Sequence, residues 1–344
     1  MTAGSRRRSR RVFTRFALAI LIAGVGVVYA AHRYIERSCR TPLRAASAPP
    51  VTVIVEPGMT PRRIFAILAA ADVGPDTRVA ELYYRRYGRD TLKAGEYEIK
   101  GGLSFDDILR MLEAGDVVLH LCTIPEGLTA SEIALRLEQE GLFPAAQYLE
   151  AARKVELVAA YDPEAESLEG YLFPNTYSFP RGVTAKQVIA RQVSTFLERY
   201  IALRGKDVPV LGFRDAVVLA SLVEKETGNE MERPLVASVF INRMRRQMLL
   251  QCDPTVIYAM MMDGTYSGNI RRSDLLMDSP YNTYRYPGLP PGPICNPGMS
   301  AIEASLYPPE TRYLYFVSRN DKTHVFSENL AAHNRAVNRY QRGR

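Results

Sequence analysis

In the stretch ASLVEKETGNEMERP, residues 220–234, an apolar run ends in two glutamates, Glu224 and Glu226, followed by Gly228. A carboxyl at the end of a buried helix, facing apolar neighbours, keeps its proton to higher pH and can act as a general acid near neutrality. The competing possibility is a pair of solvated carboxylates at a wet helix end, although a helix C-terminus disfavours negative charge. Residues 216–223 are apolar on nearly every side, which predicts a central, buried helix over 213–227 closed by Gly228 as its C′ residue. On such a helix Leu219, Leu222, Val223 and Glu226 share one face, while Glu224 falls with Val217, Ala220 and Ser221. Two residues correspond to about 200° of helical rotation, so the carboxyls point apart. They cannot form the close carboxylate pair of a double-displacement glycosidase. If one of them works, it works largely alone.

Other groups offer less. Cys39, Cys122, Cys252 and Cys295 match no CxxC zinc or redox spacing and are expected as buried or idle thiols, although an exported chain could pair two of them. The four histidines, His32, His120, His324 and His333, are scattered, so neither a metal site nor a cofactor is expected. An acyl-transfer site built on Ser221 with His324 or His333 would lack any GxSxG or SxxK context.

The chain that must position these groups has 344 residues, 47% hydrophobic and 24% charged, enough for two domains with real cores. Its net charge of +7 is misleading. Arg6, Arg7, Arg8, Arg10, Arg11 and Arg15 supply six of those charges within residues 1–15, leaving +1 for the rest, so nucleic-acid binding is not expected. Residues 16–32 are uncharged and apolar, at the short limit for one bilayer crossing. The all-arginine flank before them and the mixed flank after them (Arg33, Glu36, Arg37, Arg40) predict a single-pass anchor with a cytoplasmic N-terminus. A signal peptide cleaved near Tyr29-Ala30-Ala31 and a buried N-terminal core helix are the alternatives.

Residues 41–50, rich in Pro, Ala and Ser, suggest a linker. Three similar units follow at 53–73, 97–117 and 122–142, each a short strand-like run, a Gly, a Ser or Thr, and a helical pattern. Thr60, Ser104 and Thr129 are the expected N-caps, with Asp107 and Glu132 in capping-box position. Ile64 with Leu68, Ile108 with Leu112, and Ile133 with Leu137 should face their own strands. Residues 51–118 resemble a LysM-like module, either glycan-binding or a spacer. Helices are expected at 145–160 and 184–204, separated by LEGYLFPNTYSFP (168–180), whose Tyr171, Phe173 and Tyr177 suit a sugar cleft or a core equally.

ASLVEKETGNEMERPLVASVFINRM, LQCDPTVIYAM, SPYNTYRYPGLPPGPICNPG and YLYFVSRNDKTHVF, in this order, closely resemble the YceG-like (MltG) endolytic murein transglycosylases over residues 12–340. The resemblance implies an α+β protein: a basic tail (1–15), a transmembrane anchor (16–32), a linker (41–50), a LysM-like α/β module (51–118) and an α+β catalytic domain (122–340). It implies a periplasmic lyase of the bacterial inner membrane that cuts the MurNAc–GlcNAc bond of nascent peptidoglycan strands, with peptidoglycan synthases as its candidate partners. Glu226, the second Glu of EKET, would be the acid/base. It would protonate the leaving oxygen and then take the proton of the MurNAc C6 hydroxyl, closing a 1,6-anhydro ring without water. Tyr171, Asn242, Gln251, Asp253, Tyr281, Asn282, Thr283 and Tyr284 are the implied glycan contacts, although Asn, Asp and Thr also cap loops, and Asp253-Pro254 could open a helix with Asp253 as N-cap. Cys252 stands where members carry Thr, and Asn175 where many carry Asp; neither is expected to touch Glu226. A non-catalytic glycan-binding scaffold, or a water-using muramidase with Asp253 or Glu230 as base, are the rival functions.

Overall fold

The computed structural model describes residues 3–203 and 209–343, with side chains from Arg15 onward except Ala17. The side chains of Arg6 to Arg11 in the basic tail therefore lie outside the described residues. The chain divides into two compact units, Met1–His120 and Leu121–Arg344.

The first unit begins with α1 (Ala3–Arg40). Its segment Leu18–Arg40 is long and apolar enough to cross a membrane and buries none of itself against the protein over the apolar window. The end of α1 behaves differently: Cys39 is fully buried and Ile35 packs on the core formed with α3 (Thr77–Tyr87) and α4 (Phe105–Ala114). Strands β1 (Val51–Val55) and β2 (Gly95–Ile99) pair antiparallel from Val51↔Ile99 to Val55↔Gly95. Their alternation turns Val53, Val55, Tyr97 and Ile99 inward, where they meet Ile64, Phe65 and Leu68 of α2 (Pro61–Ala70). Thr60 caps α2, and Ser104 with Asp107 forms a full capping box on α4. Gly115, at φ 78°, closes α4 in the left-handed conformation that a side chain would resist. α3 lies between the two repeats, where the repeat pattern predicts no helix. Residues 41–50 are not a loose tether: the Gly102 N–H donates to the Arg44 carbonyl at 3.1 Å.

The third repeat joins the second unit, because β3 (Leu119–Ile124) pairs with β4 (Asn175–Pro180). α5 (Ala130–Gln139) follows β3, capped by Thr129 and Glu132 and burying Ile133 and Leu137. α6 (Ala145–Ala152) is shorter than its apolar pattern predicts and gives way to a single 3-10 turn. α7 (Ala185–Leu203) covers the expected span.

α8 (Phe213–Glu226) is the centre of this unit, with Ala216 to Val223 buried on all sides. Around it pack α9 (Arg233–Arg245), α10 (Asp253–Met262) and α11 (Met299–Leu306). The hairpin β5 (Tyr315–Ser318) and β6 (His324–Ser327) and then α12 (Leu330–Tyr340) complete it. Gly228 does not close α8. The helix ends on Thr227, which is extended at φ −142° and accepts the Asn229 N–H on its hydroxyl at 3.1 Å. The Thr227 backbone N–H caps the helix by donating to the Val223 carbonyl at 3.2 Å, and the hydroxyl's turn with Asn229 redirects the chain without a left-handed glycine.

The aromatic segment resolves as core. Tyr171 stacks near Phe213 and edges onto Phe196, and its hydroxyl donates to Asp162 at 2.5 Å. Phe173 and Tyr177 are buried beside it.

Candidate active site

The two glutamates at the end of α8 have opposite surroundings. Glu224 is locked. Arg233 Nη2 donates to one oxygen at 2.8 Å, and the Gly298 N–H, at the start of α11, donates to the other at 3.0 Å. Burial still raises its pKa, but the amide and guanidinium oppose that rise. Both oxygens are occupied by strong donors, and a second carboxylate, Glu126, shares Arg233 at 3.4 Å.

Glu226 stands on the other side of the helix end. The residue keeps a partly exposed surface while its carboxyl is surrounded by protein. Burial pushes its pKa up to about 7, and the charge of Asp253 pushes in the same direction. The nearby Cys252 side chain and the positive fields of His324 and Arg243 oppose the rise. A carboxyl with such a midpoint can be protonated and ionised within one turnover near neutral pH.

Each of these neighbours is held by its own element. Arg243, on α9, donates to the carbonyls of Leu314 at 2.7 Å and Leu250 at 2.8 Å and lies 5.2 Å above the Tyr315 ring. His324, opening β6, pairs through Nδ1 with Glu232 at 2.7 Å, and its backbone N–H donates to the same carboxylate at 3.0 Å. Asp253 is exposed at the first turn of α10 and accepts the Tyr284 hydroxyl at 2.5 Å. The N-cap of α10 is Cys252, one residue before the expected Asp253, with Pro254 still in the first turn. Cys252 is fully buried and lies close enough to Glu226 for the carboxyl to raise its pKa, contrary to the expectation that it stands apart. Asn175 is exposed and accepts the Thr176 N–H on its own side chain.

Among the implied glycan contacts, Asp253 and Tyr284 gather around Glu226. Gln251 is exposed just before them, in the left-handed region at φ 53°, its N–H donating to the Thr283 carbonyl. The others are committed to the scaffold. Tyr171 is 1% exposed, in the core described above. Asn242 donates to the carbonyls of Thr311 and Tyr313 at 2.9 and 3.0 Å, tying α9 to the approach of β5. Asn282 is fully buried and donates to Leu275 and Met277 at 3.0 and 2.7 Å. Thr283 is buried and accepts the Cys252 N–H at 3.0 Å. Tyr281 packs 5.1 Å from Tyr258 and lines a water-sized cavity of about 20 Å³ with Asp162, Glu169 and Arg214. Small polar residues in a loop-rich stretch fill the loop's own hydrogen bonds first.

The residue pattern did not single out Arg243, the Glu232–His324 pair or Glu169. Glu169 is a second buried carboxyl pushed up to about 7 by burial, bonded by the Ala130 N–H at 3.0 Å and by Asn296 Nδ2 at 2.6 Å. Its only sequence signal is an acid inside the aromatic run LEGYLF.

The YceG-like family model matches residues 53–339. An endolytic murein transglycosylase of Bacillus subtilis (strain 168) is 31% identical over 88% of this chain and 88% of its own length. The enzyme of that name from Streptococcus pneumoniae strain D39 is 32% identical over 93% of this chain, which spans 63% of that longer protein. The crystal structure of a putative yceG-like protein from Listeria monocytogenes is 33% identical, with a TM-score of 0.56 over 83% of this chain and 98% of that one. With most of its length matched, and with the second EKET glutamate placed apart from the locked first one, the chain belongs to the YceG-like family.

Proposed function

We propose that this chain is an endolytic murein transglycosylase in which Glu226 is the sole acid/base. The observation that carries this is the contrast at the end of α8: Glu224 is saturated by Arg233 and Gly298, whereas Glu226, on the other side of the helix end, is pushed up to about 7 by burial and by Asp253. In the protonated state Glu226 donates its proton to the glycosidic oxygen between MurNAc and GlcNAc. The resulting carboxylate faces the cationic sugar and then takes the proton of the C6 hydroxyl, whose oxygen attacks C1 and closes the 1,6-anhydro ring. Bond cleavage and ring closure balance without water, so no second carboxylate is required. Asp253 favours the protonated acid before cleavage, while Arg243 and His324 favour the carboxylate after it. Asp253, Tyr284 and Gln251 are the side chains placed to meet glycan hydroxyl or N-acetyl groups.

The apolar helix is read as a single-pass inner-membrane anchor with its arginine-rich end in the cytoplasm, which puts the residues after it, from 41 onward, in the periplasm. Residues 51–118 are read as a LysM-like module and 122–340 as the catalytic domain. Cleavage near the membrane would end nascent strands, beside the synthases that extend them.

The test is mass spectrometry of glycan strands digested with the full chain in detergent, wild type beside Glu226→Gln. Internal fragments ending in 1,6-anhydroMurNAc, absent with the variant, are expected. Reducing MurNAc ends would replace this reading with a muramidase that uses Asp253 or Glu230 to activate water. Murein binding without cleavage by either protein would leave a scaffold.

A further inference from the structure

We propose that the ends of α1 and α3 together form a basic collar that docks on the anionic phospholipid headgroups of the membrane that holds the anchor. This inference rests on the reading of the apolar helix as a membrane anchor.

The apolar stretch of α1 ends at residue 32, and the helix runs on into the core of the first unit, where Cys39 is fully buried. At 1.5 Å per residue, Glu36 stands about 6 Å beyond the span, at headgroup depth. Two contacts fix how α3 lies against this end. Arg40 Nε donates to the Tyr83 hydroxyl at 3.5 Å, and the Tyr87 hydroxyl donates to Glu36 at 3.0 Å. Tyr83 meets the later residue of α1 and Tyr87 the earlier one, so α3 runs antiparallel to α1. Its C-terminal end therefore comes back toward the span. Arg40 and Arg86 each lie 5.6 Å from the Tyr87 ring.

The turn after α3 is fixed as well. Tyr84 reaches across Gly88, where a side chain would collide with its ring, and donates to the Asp90 carbonyl at 2.9 Å. Glu113, buried on α4, accepts the Arg89 N–H at 2.8 Å. Arg85, Arg86 and Arg89 are thus exposed side chains on an ordered end, brought by the fold to the level of Glu36. Segments 33–40 and 85–90 carry six arginines against Glu36 and Asp90, and counting Glu113 still leaves a surplus of three. Glu36 is already shared by Arg33, Arg40 and Tyr87. Arg37, Arg85, Arg86 and Arg89 have no acidic partner among the described residues. Tyr34, largely exposed on the same stretch of α1, is the type of side chain that membrane interfaces favour. Unpaired arginines held at this depth attract lipid phosphates, and binding them would fix the first unit on the membrane surface.

The test is hydrogen–deuterium exchange of the full chain in nanodiscs of phosphatidylcholine, with and without phosphatidylglycerol. Peptides covering 82–90 should exchange more slowly in the anionic discs, by about fivefold for each arginine engaged. The protection should fade in high salt. Arg85→Gln, Arg86→Gln and Arg89→Gln combined should abolish the difference without changing the thermal melt. Should that variant fail to fold, Arg89→Gln alone, outside the helix, should reduce the difference. Equal exchange in the two discs, or a lipid effect that survives in the variant, would overturn the inference. The same protection from inorganic pyrophosphate in phosphatidylcholine discs would assign the collar to a free phosphate and overturn the lipid assignment. A chain that does not enter the discs would overturn the anchor reading instead, a failure that size-exclusion chromatography reports separately.

Discussion

Glu224 and Glu226 sit two residues apart on one helix end, and both have burial as the largest influence on their proton affinity. They differ in what replaces water. Glu224 receives a guanidinium and a helix-start amide, which makes it a joint between α8, α9 and α11. Glu226 receives opposing influences instead, from Asp253 on one side and from Cys252, His324 and Arg243 on the other. Desolvation alone thus does not make a catalytic acid. On the proposed assignment of Glu226 it does so where the partners leave the proton free to move in both directions, and it makes a structural tie where they hold the charge.

The sharpest way to break the contrast is to remove both roles separately. Glu226→Gln should lower turnover by about 10²–10⁴-fold while leaving the thermal melt unchanged, measured by fragment release per hour. Arg233→Met should have the next largest effect, on stability: it leaves the buried Glu224 unpaired and should cost about 3–5 kcal/mol in urea unfolding, with activity per folded molecule largely kept. If Arg233→Met abolishes activity without destabilising the fold, the division of labour between the glutamates is wrong.

Subtler variants sharpen the comparison. Cleavage that needs protonated Glu226 should be full below and fall as pH rises through about 7. Asp253 raises that midpoint, so Asp253→Asn should move the fall to lower pH, read from kcat/KM against pH. Glu169 supplies a smaller, stability-only counterpart. Its pKa is raised from 4.5 to about 7 on folding, so its contribution is present below 4.5 and lost as pH rises through about 7. Glu169→Gln keeps an acceptor for the Ala130 N–H and should flatten the pH dependence of Tm across that window by a few degrees at most.

Much of the local structure was legible. Thr60, Ser104 and Thr129 cap their helices as their types and spacing predict, because a cap is settled within four residues. The burial of α8 was equally plain, since an all-round apolar helix has nowhere else to go. The implied glycan contacts read less well. Asn282 and Thr283 look like binding residues in SPYNTYRY, but buried carbonyls, amides and hydroxyls claim their hydrogen bonds. Tyr171 looked equally suited to a cleft or a core, and Phe196, Phe213 and Asp162 decided for the core. α3, capped by Asp76, lies outside the strand–Gly–Ser/Thr pattern of the repeats and so is not announced by it.

By itself the sequence determined the helix that ends at EKET, the opposite directions of its two carboxyls and the apolar N-terminal span, all consequences of period and composition within one element. Tertiary structure alone decided which carboxyl is held and which is poised. Arg233 and Gly298 reach Glu224 from α9 and α11, and Cys252 and Asp253 reach Glu226 from α10. A pKa is set by every charge and donor that packing brings within a few ångströms, and no local pattern records that list.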